Sequence, residues 1–232
     1  MTLLDEHKKV CETLRRLRNE SYSLISTWAL FESSNGYPRG FKREGLRRSI
    51  NQNNEPIGID HLQKLIVRDT ILTLHRMIDV QGKNTDLNRQ SLTHVKKFLK
   101  QKDASAFLIT SARNWNTEFV PKDYNEKLVR TLLLELNPLL SEKSITKSRN
   151  IGSVRDKISK LRNNELAHLL EGGSPQKPSL FEIREGVVLV VVLVKKCSLL
   201  FDNVDWDAKD RWHRSIRDAT QFWDRYHKGF SD

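Results

Sequence analysis

Apolar residues recur at helical spacing through most of the chain. Over residues 3–31 they fall at Leu3, Val10, Leu14, Leu17, Leu24, Ile25, Trp28 and Phe31, which predicts a long helix with one buried side. Residues 32–58 break the rhythm with glycines, prolines and a run of cations, and predict a long loop with a short helix near 43–50. Residues 59–80 resume it on two sides. Leu62, Leu65, Ile66, Leu72 and Met77 share one side, and Val67, Ile71, Leu74 and Ile78 the other. A helix apolar on two sides is expected at the centre of a bundle.

Further along, Asp86 can cap a helix over 87–101, and a helix over 122–143 is expected to kink or break at Asn137-Pro138. Ser148 or Ser153 opens the next helix, and Gly172-Gly173-Ser174-Pro175 supplies its stop signal. The run Val187 to Val194, VVLVVVLV, has strand propensity. No partner strand is visible and the run continues into KKCSLLF, so a buried helix over 179–203 is favoured over a strand. Residues 206–228 read as a basic helix whose Trp212, Ile216, Trp223 and Tyr226 face the bundle. The expected fold is all-α, a single helical bundle of about six or seven helices. Residues 1–205 would form the main domain, with a long basic loop at 33–58, and the C-terminal helix of 206–232 would pack on it.

Composition agrees with helices, since glycine and proline number only 10 and 6. Charge adds a partner. Forty Lys+Arg against 29 Asp+Glu leave 40 − 29 = +11, which favours an anion such as nucleic acid. Cys11 and Cys197 have no metal spacing, and the N-terminus has no apolar leader, so a reduced, cytoplasmic setting is expected. The valine-rich run is much shorter than the ~20 residues a membrane span needs. No zinc motif, glycine-rich phosphate loop or GxSxG is present, so neither metal nor cofactor is expected.

The candidate chemistry lies in LRNNELAH, residues 161–168. With Ile158 at zero and a step of about 100° per residue, Val154 falls near 320°, Leu161 near 300°, Leu169 near 20° and Leu166 near 80°. Arg162 falls inside that apolar arc at about 40°, Glu165 at about 340°, and His168 at its edge near 280°. A guanidinium among apolar neighbours is costly unless paired. Glu165 can pair with it at i+3, but an exposed pair contributes only ~0.3–0.5 kcal/mol, too little to explain the placement. Arg162 and His168 project about 120° apart, so one copy makes an awkward site. Two copies facing each other across a two-fold axis make a compact one.

The pattern Arg162-Asn163-x-x-x-Ala167-His168 resembles the signature of the HEPN superfamily (higher eukaryotes and prokaryotes nucleotide-binding). VRDTILTLHRMID, LNRQSLTHVKKFL and KISKLRNNELAHLL together resemble its abortive-infection branch, over roughly residues 1–205. The resemblance implies an all-α homodimer and a metal-independent endoribonuclease of a phage-defence or toxin–antitoxin system. It implies that His168 acts as general base, that Arg162 clamps the scissile phosphate and that Asn163 orients one of them or the substrate. Glu165 and Asp69 would support the site from behind. An Arg followed by a His after four to six intervening residues, the range of that signature, also occurs at Arg68-Asp69 to His75 and at Arg89 to His94, but only the Arg162 copy carries both the following Asn and the Ala before the His.

Arg39, Lys42, Arg43, Arg47 and Arg48, with Tyr37 and Phe41 between them, are the expected RNA contacts. An antitoxin or other defence-system protein is a further expected partner. The competing reading is a non-catalytic module of the same fold that binds RNA, a nucleotide or a protein.

Overall fold

The computed structural model describes residues 2–35, 56–78, 91–115, 121–141, 150–159 and 180–228. All regular structure among them is helical. In chain order the helices are α1 (Leu3–Ser34), α2 (Pro56–Ile78), α3 (Leu92–Leu99), α4 (Ala104–Ala112), α5 (Lys122–Leu139), α6 (151–159), α7 (Leu180–Asp202) and α8 (Ala208–Lys228). Among the described residues no helix is long and apolar enough to cross a membrane. The chain divides into two units, one made of residues 1–21 and 74–206, the other of 22–73 and 207–232.

The first unit is built on α7. Its valine-rich run is helical and buried except along one side, with Val187, Val190, Leu193, Val194 and Cys197 at zero exposure and Val188 and Val192 exposed. β-Branched residues lower helix propensity only slightly, and burial of the other sides outweighs it. Asn203 ends this helix with φ of 49°, and Val204 N–H donates back to the Ser198 carbonyl at 3.2 Å. At the other end of the unit, Thr2 and Asp5 form a reciprocal capping box on α1. Asp5 N–H donates to Thr2 Oγ1 at 3.2 Å, and Thr2 N–H donates to Asp5 Oδ2 at 3.1 Å. Thr93 donates to the Ile78 carbonyl at 3.0 Å and fastens the end of α2 to α3.

Four expectations need adjustment. The helix expected over 87–101 behind Asp86 starts at Leu92, after an extended Ser91, and ends at Leu99. Helix α4, ASAFLITSA, was not foreseen; its small and apolar residues give little contrast between faces. Helix α5 is not broken by Pro138, which sits in its last turn and is followed by the stop at Leu139. Helix α2 buries one face, not two. Ile66, Ile71, Leu74, Met77 and Ile78 are buried, while Leu62, Leu65 and Leu72 are exposed.

The second unit joins the C-terminal part of α1 to α8. Small residues line the contact: Ser26 and Ser215 hydroxyls lie 3.2 Å apart, and Ser33 and Thr220 hydroxyls 3.5 Å apart. Trp223, 1% exposed, donates its indole N–H to the Leu30 carbonyl at 3.0 Å. Arg211 stands 5.4 Å over the Tyr22 ring and donates to Ser26. The tail aromatics divide. Trp223 is core, Trp212 is half-buried, and Tyr226 is exposed beside the exposed Phe222.

Candidate functional site

The candidate motif follows α6 in the chain, and α6 is anchored from both ends of its described length. Asn150, fully buried, is the N-cap in place of the Ser148 or Ser153 that the sequence suggested. Its side-chain oxygen accepts the Ser153 N–H at 2.9 Å, and the Ser153 hydroxyl accepts the Asn150 N–H at 3.3 Å. Three residues then turn inward: Ile151, Val154 and Ile158 are 5%, 7% and 2% exposed. This is the arc that the helical phase assigns from the sequence.

Gly186 makes room for that arc. A Cβ there would stand 3.3 Å from Leu74 Cδ1, 3.4 Å from Ile158 Cδ1 and 3.4 Å from Val154 Cγ1. The absence of a side chain lets α6 and the end of α2 approach α7 closely. At the edge of the contact Lys157 pairs with Glu182 at 3.4 Å.

Arg162, Asn163, Glu165 and His168 lie outside the described residues. So do the loop cations Arg39, Lys42, Arg43, Arg47 and Arg48, and Arg89 of one competing pair. Of the rest, Arg68 is exposed and His75 half-buried on α2. Asp69, expected to support the site from behind, is exposed, on the same uncovered face of α2 as Leu65 and Leu72. Arg76 on that helix pairs with Glu20 at 3.4 Å. His94 is engaged in packing: its Nδ1 lies 3.1 Å from the Thr13 hydroxyl.

One constellation was not foreseen. His7 stacks on Phe201 at 5.7 Å, meets Phe107 edge-on at 5.2 Å, and lies 3.8 Å from Cys11 Sγ. A Cys–His pair invites a nucleophile reading, but the electrostatics oppose it. Burial, helped by the nearby Asp202, pushes the Cys11 thiol up to about 11. Burial also pushes His7 below its ordinary value, against the pull of the Phe201 backbone and Asp202. A protonated thiol beside a neutral imidazole is packing and not a nucleophile. The i, i+4 spacing of His7 and Cys11 was the signal in the sequence. Asp202 is itself held by Arg18 at 3.2 Å and Arg15 at 3.7 Å.

Comparison with protein families gives one match: the family described as AbiU2 (HEPN_AbiU2), over residues 7–186. The matched stretch takes in α1 through the first turns of α7 and includes LRNNELAH. No curated protein and no solved structure matches the chain.

Proposed function

Since the chain belongs to the AbiU2 family, and so carries an abortive-infection HEPN domain, we propose that it is a metal-independent endoribonuclease acting as a homodimer. The observation that supports this reading most is the position of the motif. Arg162 follows the buried Ile158 by four residues in the sequence, the spacing of about one helical turn, and His168 follows six residues later. A guanidinium at that spacing from an apolar position calls for an anion or a partner. A polynucleotide phosphate held between two protomers meets that need.

In this reading His168 takes the proton of the ribose 2′-OH, whose oxygen attacks the adjacent phosphorus. The bond from phosphorus to the 5′-oxygen breaks, and that oxygen takes a proton from the copy of His168 in the second protomer. Arg162 holds the phosphate oxygens with its forked donors and stabilises the charge that builds on them. Asn163 orients the substrate, and Glu165 steadies Arg162. The loop cations Arg39, Lys42, Arg43, Arg47 and Arg48 carry the strand into the site, in line with the chain's charge of +11. The products are a 2′,3′-cyclic phosphate and a 5′-OH.

The test is incubation of purified protein with total RNA in EDTA, wild type beside His168→Ala and Arg162→Ala. Cleavage by wild type alone supports the assignment. Cleavage retained in His168→Ala removes it. Tight RNA binding without cleavage by any of the three identifies a non-catalytic binding module.

A further inference from the structure

Helices α3, α4 and α5 of the first unit frame a groove of about 1020 Å³ that the proposed cleavage does not use. Its lining is aliphatic, with Leu99, Ile109, Leu133 and Leu140 inside and Leu134, 77% exposed, at the edge. Lys96, Lys100 and Arg130 also line it, with Ser105, Asn137 and Ser141, and among the described residues that line it none is acidic or aromatic. Glu126, one turn before Arg130, gives its carboxylate to Arg113 at 2.6 Å.

We propose that this groove docks an acidic amphipathic helix from a partner protein. The aliphatic lining takes the apolar face of such a helix, and the three cations meet carboxylates along its flanks. The exposed Leu134 beside the apolar lining is surface that a docked amphipathic helix would cover. RNA suits the groove less well, because bases stack best on aromatic rings and the described lining offers none, leaving Arg130 as its one stacking plane. The volume stands at the upper end of small-ligand pockets, which run to about 1,000 Å³, and fits a helix face better than a single metabolite.

The test uses the full chain and a fluorescein-labelled peptide of about 18 residues, roughly five helical turns, with Leu at i, i+3, i+4 and i+7 and Glu on the flanks. Anisotropy is read for this probe, for the same peptide with Lys in place of Glu, and for a single-stranded RNA. Saturable binding of the Glu peptide is expected, with hydrogen exchange slowed in α3, α4 and α5. Leu134→Asp, and separately Lys100→Glu with Arg130→Glu, should each weaken it by about tenfold or more. Leu134 is exposed, so its variant should keep the wild-type melting temperature. Lys127→Glu, on an exposed part of α5, should leave binding unchanged.

Four outcomes overturn the proposal: no saturable binding; equal weakening by Lys127→Glu; RNA binding that falls in step with the peptide's; or a dimer that becomes a monomer on Leu134→Asp, which would give the groove to a second copy. No step involves RNA cleavage, so this proposal and the proposed activity fail independently.

Discussion

A methyl group on Gly186 would stand 3.4 Å from Ile158 Cδ1, so α6 rests on α7 at a point where α7 has no side chain. Glycine inside a helix costs about 0.5–1 kcal/mol relative to alanine, and close packing is what offsets it here. Gly186→Val should therefore lower stability by about 1–3 kcal/mol through overpacking. Gly186→Ala should change it much less, because the neighbours are the movable ends of Leu74, Ile158 and Val154. Urea denaturation checks both. If the motif depends on α6 for its position, Gly186→Val should also reduce RNA cleavage under conditions where it remains folded.

Asn150 tests the same helix from its start. Its side chain satisfies the Ser153 N–H in a fully buried setting, so Asn150→Ala should cost about 0.5–2 kcal/mol. Asn150→Asp and Asn150→Ser keep a capping oxygen and should recover most of the loss. Equal destabilisation by all three in chemical denaturation would show that packing, and not capping, is what Asn150 supplies.

These two residues also mark where the sequence was legible and where it was not. Helix α1 could be read from the helical spacing of its apolar positions, whereas the valine-rich run of α7 suits helix or strand and only the lack of a visible partner strand favoured the helix. The inward arc of α6 could be read from phase alone at Val154 and Ile158, and Ile151 joins it in the structure. The cap could not, since Ser148, Asn150 and Ser153 all carry suitable oxygens and only packing chooses among them. The outer leucines of α2 were read as a second buried face because periodicity reports which residues are apolar, not whether anything covers them. Helix α4 has no polar face to alternate with, so it left no pattern. Of the candidate site, the spacing of Arg162, Asn163 and His168 was legible in the chain. The groove between α3, α4 and α5 was not, because it exists only once three helices meet.

The cysteines should be inert in the folded protein. Burial pushes Cys197 up to about 12 and Cys11 up to about 11, so at pH 8 almost no thiolate forms. Modification by Ellman's reagent in native buffer should run about two orders of magnitude or more slower than in guanidinium, where the thiols return to about 8.5. Rapid stoichiometric labelling of either one without denaturant would contradict the burial described for these residues.

His7 makes stability depend on pH in a defined direction. It is held in the neutral form by burial among Phe98, Phe107 and Phe201, and its folded value lies below the ordinary one of about 6.5. The unfolded chain therefore binds the proton more readily than the folded one. The contribution of His7 is complete above about pH 6.5 and is lost as pH falls from there toward the depressed folded value. Asp202, which favours the charged ring, softens this loss without reversing it. Asp5 and Glu126 act in a lower window. Hydrogen bonds from Thr2 and Arg113 depress their folded values, so their contributions fade only below about pH 4.5. Between about pH 7 and 5 the melting temperature of the wild type should thus fall more steeply than that of His7→Phe, which keeps a ring in the cluster but has nothing to protonate. Parallel slopes for the two proteins would mean that His7 is not held neutral, and that the cluster of rings admits water.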